Sequence, residues 1–270
     1  MKKLSIITVN YNDIAGLRKT RDSILSQTFQ DFEWIVVDGG STDGGKEFIQ
    51  EHQKEMAWWC SEQDNGIYNA MNKGIEHAQG EYLLFHNSGD TLYAPDTLKE
   101  VFHTELDADV IYGDWTEALP HRCKKKCHSS EKVNVYYFAT RPLCHQTAFI
   151  RTSLLKHSPY DESYRICADW AKWLELSKQG CTFQHIPVTI CHFVLGGFSY
   201  RSRKERRQEQ ERALREFYPA DLAGVLSSLT GKVSRRLTVI RRLVWLSSIL
   251  LLTTIGLAIW VAIIYLSTKP

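Results

Sequence analysis

The chain has 270 residues, which is enough for one large folded domain with an appendage. Its 33 lysines and arginines nearly balance 31 aspartates and glutamates, so the formal net charge at pH 7 is +2. This balance gives no reason to expect nucleic acid as a partner. Seven cysteines show no disulfide framework and no signal peptide follows Met1, so we expect a reducing compartment.

The first part of the sequence alternates short apolar runs with amphipathic stretches. Strands are predicted at 4–9, 32–37, 56–61, 81–86 and 109–113, and helices at 14–25, 46–54, 68–78 and 95–106. This alternation predicts an α/β fold with a mostly parallel sheet flanked by helices. After an irregular stretch at 116–135, strands are expected near 146–151 and 182–193, with a helix at 169–178 between them.

Acidic residues lie in or near turns at the ends of predicted elements. Ligands of such sheets bind at the carboxyl ends of the strands, so the turns after Val9, Val37 and Phe85 should converge. Asp38 precedes a glycine pair and can accept hydrogen bonds from a base or ribose. Asp90 is a possible ligand for Mg²⁺ or Mn²⁺ at a diphosphate, which needs only one or two carboxylates. Asp169 is either a helix N-cap or a general base.

Five ordered motifs together resemble one enzyme family. The motifs are Thr8–Asn12, Ser23–Thr28, Val36–Asp43, Glu62–Gly74 and Asn87–Asp90. They resemble family 2 glycosyltransferases of the GT-A (Rossmann-like) fold, in particular bacterial enzymes of colanic-acid, capsule and O-antigen synthesis. The resemblance covers about residues 3–200.

The resemblance implies an inverting, non-processive glycosyltransferase of the hexosyl type. Its donor would be a nucleoside-diphosphate sugar of the UDP or GDP type, its acceptor a hydroxyl of a lipid-linked saccharide, and its cofactor Mg²⁺ or Mn²⁺. The implied donor-binding residues are Thr8, Val9, Asn10, Tyr11, Asp38, Asp64, Asn72, Ser88 and Gly89. Asp169 would be the catalytic base, His145 and Gln146 would face the acceptor, and Asp90 with His192 would hold the metal.

The sequence departs from the family pattern at two motifs. Many members have two consecutive acids where this chain has Asp38–Gly39, and an Asp-x-Asp motif where it has Asn87–Asp90. With fewer carboxylates, metal affinity should be modest until the diphosphate arrives. Two alternatives stay open: a polyprenyl-phosphate sugar synthase, whose acceptor phosphate needs no strong base, and an inactive scaffold that binds sugar nucleotides.

The C-terminal region predicts a membrane anchor. Residues 243–266 carry no charge and are long enough to cross a hydrocarbon core of about 30 Å, although a buried core helix is the alternative. Basic residues between Lys232 and Arg242 precede the span, so the catalytic domain should lie on the cytoplasmic side of the inner membrane. We therefore expect a catalytic domain at 1–200, a basic helical segment at 201–242 and one transmembrane helix. The charged run at 201–217 is either a solvated helix or a contact for anionic lipids.

Overall fold

The computed structural model describes residues 2–118, 125–194 and 203–228. The predicted transmembrane helix at 243–266 and the basic cluster before it lie outside these residues. Across the described ranges, every helix is too short or too polar to span a bilayer.

The secondary structure follows the predicted order closely in the first half of the chain. The strands are β1 (Leu4–Asn10), β2 (Phe32–Asp38), β3 (Trp58–Ser61), β4 (Tyr82–Phe85), β5 (Thr91–Leu92), β6 (Val110–Ala118), β7 (Lys125–Cys127), β8 (Ala148–Arg151) and β9 (Phe183–Val194). The α-helices are α1 (Ile14–Leu25), α2 (Gly45–Glu51), α3 (Ile67–His77), α4 (Thr97–His103), α5 (Val135–Thr140), α6 (Thr152–His157), α7 (Ala168–Lys178) and α8 (Arg203–Phe217). Residues 220–228 are also helical.

The described strands form one sheet in the order β3-β2-β1-β4-β8-β6-β9-β5, with β7 paired to β6. The pairs among β3, β2, β1 and β4 are parallel, as predicted for a Rossmann-like half. However, β8 runs antiparallel to both of its neighbours, β4 and β6, and β5 runs antiparallel to β9. The prediction of a mostly parallel sheet is therefore corrected to a mixed sheet. Apolar periodicity identifies a strand but carries no information about its direction.

Alternating residues of the central strands supply two core layers, one on each face of the sheet. In β1, Ile7 and Val9 pack with α3 and α7, whereas Leu4 and Ile6 pack with α1, α2 and α4. Successive side chains of a strand point to opposite faces, and both faces here are covered by helices. This double burial explains why β1 reads as a continuous apolar run rather than an alternating one.

Short elements account for most of the differences from the predicted boundaries. The stretch expected to be irregular contains β7, and α5 and α6 were not predicted, because six residues are too few to show a helical period. Helix α1 begins after Asp13, whose side chain accepts a hydrogen bond of 3.0 Å from the Gly16 amide.

The charged helix α8 is packed against the catalytic domain. Its residues Ala213 and Leu214 are buried in the same core layer as α7, together with Leu226 farther along the chain. The exposed face carries the ion pair between Arg207 and Glu211, at 3.3 Å. Helix α8 is therefore amphipathic in its packing, and the folded unit extends beyond residue 200.

Candidate active site

One buried amide connects the carboxyl ends of β1, β2 and β4. Asn10, the last residue of β1, donates from Nδ2 to Asp38 Oδ1 at 2.7 Å and to Ser41 Oγ at 3.1 Å. Its Oδ1 accepts from Ser88 Oγ at 2.8 Å. Asn10 and Asp38 are also partners in the β1–β2 ladder. The three turns that the sequence analysis expected to converge are thus joined through a single side chain.

The carboxylate of Asp38 is fully buried and accepts hydrogen bonds at both oxygens. Oδ1 accepts from Asn10 and Ser41 Oγ, and Oδ2 accepts from the Ser41 amide at 3.0 Å and Ser61 Oγ at 2.7 Å. Burial raises its pKa, but these hydrogen bonds outweigh burial and hold the pKa below its ordinary value. Because these four bonds use the capacity of a carboxylate, Asp38 holds the turn in place, and the predicted contact with a base would require one of them to break.

The residues of the first motif separate into core and surface. Thr8 and Val9 are buried, and Thr8 Oγ1 donates to the His86 carbonyl at 2.8 Å while accepting from Trp34 Nε1 at 2.9 Å. Because both side chains lie within the core, the predicted contact of Thr8 and Val9 with the donor would have to come from their backbone. Tyr11, in contrast, is 67% exposed at the edge of the sheet and is the aromatic residue available to a nucleotide base.

Glycine at position 39 allows a carboxylate to lie against the turn after β2. A Cβ on Gly39 would lie 2.5 Å from Asp64 Oδ2 and 3.2 Å from the Tyr11 ring. Asp64 Oδ1 accepts from the Gly66 amide at 2.9 Å, and Gly66 has a φ of 120°. Tyr11, Gly39 and Asp64 are therefore close together, as expected of residues that line one donor pocket.

Asn72 contacts the segment before α7 through both ends of its side-chain amide. Its Oδ1 accepts from the Tyr160 amide and its Nδ2 donates to the Tyr160 carbonyl, each at 2.9 Å, and Nδ2 also donates to Glu162 Oε1. The amide is occupied at both ends, so Asn72 fixes the segment before α7. Its place in the donor pocket stays a prediction, and the contact with Tyr160 is what the structure adds.

Asp90 is a buried acid without a positively charged partner. The residue is 8% exposed, and burial raises the pKa of its carboxyl to about 7, opposed by a hydrogen bond from the Gln146 side chain. No ion pair to Asp90 is present in residues 2–118, 125–194 and 203–228. The turn that carries it is held by Thr20 of α1, whose hydroxyl accepts from the Gly89 amide and donates to the Asp90 carbonyl.

The donor set around Asp90 fits a metal that is shared with a diphosphate. Within the described part of the chain, no three His, Cys, Asp or Glu side chains are grouped to hold a metal on their own. A Mg²⁺ or Mn²⁺ ion at a nucleotide needs only one or two protein carboxylates, and Asp90 lacks a compensating positive charge. His192 pairs with Thr91 in the β5–β9 ladder, next to Asp90, but its Nδ1 contacts Thr116 Oγ1.

The two predicted acceptor-side residues lie between the acids. Gln146 reaches Asp90, as described above. His145 is buried, stacks on Phe85 with ring centroids 4.8 Å apart, and contacts Tyr160 Oη through Nε2 at 2.7 Å. Burial lowers the pKa of His145, opposed by the nearby charge of Asp169. His145 is thus a neutral packing residue rather than a group presented to an acceptor.

Asp169 lies in the first turn of α7 and is half-buried. The N-cap residue is Cys167, so the N-cap alternative for Asp169 is excluded. Tyr68 Oη lies 2.9 Å from Asp169 Oδ1 and 2.8 Å from the Ile166 carbonyl. Burial, and then the charge of Asp169, raise the pKa of Tyr68 well above its ordinary value, so the phenol stays a hydrogen-bond donor.

The sequence does not indicate several residues that contact the predicted site residues in the structure. Tyr68 lies within the fourth motif, but only Asp64 and Asn72 were assigned roles there. Tyr160 and Thr20 belong to no motif. A further buried acid, Asp114, follows the apolar run of β6 and accepts from His128, His185 and the Ser129 amide. The position of Tyr68 inside a motif was the one signal in the sequence that could have identified it.

Comparison with known proteins agrees with this geometry. A model of the family described as Glycosyl transferase family 2 matches residues 5–156. A PGL/p-HBAD biosynthesis glycosyltransferase of Mycobacterium bovis is 36% identical over 173 residues, covering 62% of this chain and 66% of the relative, slightly less than two thirds of its length. An uncharacterized glycosyltransferase of Mycobacterium tuberculosis is 31% identical over 195 residues, covering 70% of this chain and 74% of the relative.

Two solved structures share the fold. S. aureus TarS 1–349 in complex with UDP-GlcNAc has a TM-score of 0.64 and 19% identity, and the match covers 80% of this chain and 65% of that chain. The mannosyltransferase PcManGT from Pyrobaculum calidifontis, in complex with GDP-Man and Mn²⁺, has a TM-score of 0.62 and 17% identity, with 85% and 69% covered. At these identities the likeness establishes the architecture alone.

Replacing Asp90 by asparagine should remove the pH dependence of stability that the carboxyl contributes at this turn. A carboxyl with a pKa of about 7 in the folded chain stabilises it at low pH, and that contribution is lost as the pH rises through 7. We therefore expect Asp90→Asn without metal to be as stable as wild type below about pH 4 and more stable near pH 8, by up to roughly 4 kcal/mol. Urea unfolding at the two pH values measures this difference.

Addition of Mn²⁺ with a nucleoside diphosphate provides the control. The pair should stabilise the wild type at pH 8 and leave Asp90→Asn nearly unchanged, because only the wild type supplies a charged ligand. An equal response of both proteins would contradict the assignment of Asp90 to the metal.

Proposed function

Because the chain belongs to glycosyl transferase family 2, we propose that it transfers a sugar from a nucleoside-diphosphate donor to a hydroxyl of a saccharide acceptor. The membership confirms the resemblance identified from the five motifs. The observation that carries the proposed reaction is the pair formed by Tyr68 and Asp169. In the described part of the chain, Asp169 Oδ1 is held by the phenol and Oδ2 makes no hydrogen bond. A carboxylate with one oxygen fixed and one available suits a general base.

The donor is proposed to be a UDP- or GDP-sugar. The structural neighbours named above bind UDP-GlcNAc and GDP-Man, and this chain shares their fold. Tyr11 would stack on the base, and the turns that Asn10 joins would receive the ribose and the diphosphate. Gly39 and Gly89 supply close backbone approach at these two turns, and Gly89 has a φ of 92° that favours glycine.

A divalent cation held by Asp90, with His192 as a second contact, would neutralise the charge of the departing nucleoside diphosphate. Asp169 Oδ2 accepts the proton of the acceptor hydroxyl as its oxygen bonds to the anomeric carbon. The bond from that carbon to the diphosphate oxygen breaks, and the leaving group keeps the electron pair. Attack from the face opposite the diphosphate inverts the anomeric configuration. The Gln-x-x-Arg-Trp signature of processive polysaccharide synthases is absent from the sequence, which supports the transfer of single sugars rather than polymerisation.

Tyr68 can satisfy Asp169 both before and after proton transfer. Its hydroxyl has one proton and two acceptors within reach, Asp169 Oδ1 and the Ile166 carbonyl. While Asp169 is ionised, the charge-assisted bond to the carboxylate is favoured. Once Asp169 is protonated, the phenol can rotate to donate to Ile166 and accept from the acid. We infer that this rotation keeps the base oriented through the reaction.

Asp169→Asn should abolish transfer while donor binding is retained. The amide cannot accept the proton, so we expect turnover with a saccharide acceptor to fall by about 10² to 10⁴. Donor affinity, measured by calorimetry with the UDP or GDP nucleotide, should stay within about twofold. The substitution leaves untouched the carboxyl ends of β1, β2 and β4, where we propose that the donor binds and which we call the donor edge. Asp22→Asn, on the exposed face of α1, is the control and should behave as wild type.

The same variant separates the alternatives. A phosphate nucleophile needs no base, so full activity of Asp169→Asn with polyprenyl phosphate as acceptor would indicate a polyprenyl-phosphate sugar synthase. A wild-type protein that binds donors but neither transfers nor hydrolyses any of a full panel of sugar nucleotides, with Mg²⁺ and with Mn²⁺, would indicate a scaffold.

Tyr68→Phe should lower turnover without affecting the donor. Asp169 loses the hydrogen bond that orients its carboxylate, so we expect turnover to fall by about tenfold or more. Tyr82→Phe is a matched control, because Tyr82 Oη also makes a buried bond, at 3.0 Å, to the carbonyl of Ala108. Equal turnover of the two variants would contradict the role of Tyr68.

We further propose that the acceptor is a lipid-linked saccharide at the cytoplasmic face of the inner membrane. The uncharged segment at 243–266 and the basic residues before it support this topology. An anchor that follows the catalytic unit would hold the active site near a membrane-bound acceptor. Such tethering raises the local concentration of the acceptor without adding a contact to the transition state.

Truncation after Gly231 should separate catalysis from membrane attachment. We expect the shortened protein to leave the membrane fraction and to glycosylate a water-soluble acceptor analogue at the rate of the full chain. On a lipid-linked acceptor in membranes it should be slower by about 10² or more, because the effective concentration is lost. Cosedimentation of the truncated protein with membranes to the same extent as the full chain would contradict the proposed anchor.

A further inference from the structure

The segment at 160–167, which precedes the Asp169 turn, is held between two helices. On one side, Asn69 and Asn72 of α3 both donate to the carboxylate of Glu162. On the other side lies α8, the charged helix that the sequence analysis interpreted as solvated or lipid-binding. The contacts of α8 with this segment give the helix a function that neither interpretation includes.

Glu209 of α8 accepts three consecutive backbone amides. The amide of Arg165 donates to Oε1 at 2.8 Å, and the amides of Ile166 and Cys167 donate to Oε2 at 3.0 and 2.9 Å. These amides lead into α7, whose N-cap Cys167 makes no side-chain capping bond. A helix start leaves donors unsatisfied and favours negative charge, so Glu209 acts as a cap supplied from a different helix.

Two further side chains of α8 contact the same segment. Arg212 Nη2 donates to Ser163 Oγ at 2.7 Å, and its guanidinium lies 4.1 Å from the centre of the Tyr164 ring. Glu216 accepts from Tyr164 Oη at 2.7 Å. Leu214 is buried and packs α8 against the core, while these polar groups bind the segment at 160–167. The segment is thus fixed at three places along α8.

The hydrogen bonds of Glu209 are connected to the proposed base, Asp169, through Ile166 and Tyr68. Ile166 donates its amide to Glu209 and offers its carbonyl to Tyr68, while Asp169 receives the other contact of Tyr68. A shift of this turn would move both acceptors of the phenol together. We propose that Glu209 is a positioning residue that sets Asp169 for proton transfer, so that α8 is part of the catalytic apparatus. This inference rests on the proposed function of Asp169.

Glu209→Ala tests the proposal by separating binding from turnover. We expect the wild-type donor affinity and a turnover reduced about 10- to 100-fold with a water-soluble acceptor, because misplacement of a base slows the chemical step. Sodium formate at millimolar concentration should restore part of the turnover by occupying the three amides, a recovery that a purely structural role would not give. Glu211→Ala, on the exposed face of α8, should retain full activity and show no response to formate.

Glu209→Gln covers the case in which the alanine variant does not fold. It keeps the size of the side chain but places an amide NH₂ against backbone donors, so its turnover should also fall. Hydrogen exchange of the amides at 165–167 should be faster in both variants and unchanged in Glu211→Ala, which tests the contact without any substrate. Full turnover of a folded Glu209 variant, or unchanged exchange, would overturn the proposal while leaving the glycosyltransferase proposal intact. A wild type inert with every donor, but with the expected exchange, would instead contradict the proposed function.

Discussion

The hydrogen bonds of the Asn10 side-chain amide hold together the turns of the donor edge, at the carboxyl ends of β1, β2 and β4. The parallel sheet aligns β1, β2 and β4, but sheet hydrogen bonds stop where the strands stop, and the turns beyond them need another connection. Asn10 provides it by donating to Asp38 and Ser41 and accepting from Ser88. This position requires a side chain that both donates and accepts, because a carboxylate here would repel Asp38 and an apolar group would leave Asp38 short of a donor.

The two acids that matter for the proposed reaction sit in contrasting surroundings. Asp90 is buried without a positive partner, so its ionised form is unfavourable in the folded chain. A cation bound together with a diphosphate would compensate this negative charge. Asp169 is half-buried and accepts one hydrogen bond, from Tyr68, and Glu209 of α8 binds the backbone amides just before it. The parts of the molecule that we propose to bind the donor and to activate the acceptor are therefore fixed by separate sets of contacts, which meet through Gln146, His145 and Tyr160.

Much of the donor edge was predictable because its signals are local. Continuous apolar runs identified the central strands, and a parallel sheet brings the carboxyl ends of such strands together. The direction of β8, the burial of Thr8 and the occupation of Asn72 by Tyr160 were not predictable in this way. Each depends on partners far away in sequence, 78 residues for Thr8 and His86 and 88 residues for Asn72 and Tyr160. The contacts of α8 could not be predicted for the same reason, since a charge run does not reveal which carboxylate binds three backbone amides.

A structure of the full chain with Mn²⁺ and a bound UDP- or GDP-sugar would show whether the donor binds at the carboxyl ends of β1, β2 and β4 with its sugar facing Asp169. We expect the base to lie against Tyr11, the diphosphate beside Gly89 with the metal on Asp90, and the anomeric carbon open toward Asp169 Oδ2. A donor bound away from the carboxyl ends of β1, β2 and β4, or a sugar whose anomeric carbon faces away from Asp169, would contradict this expectation.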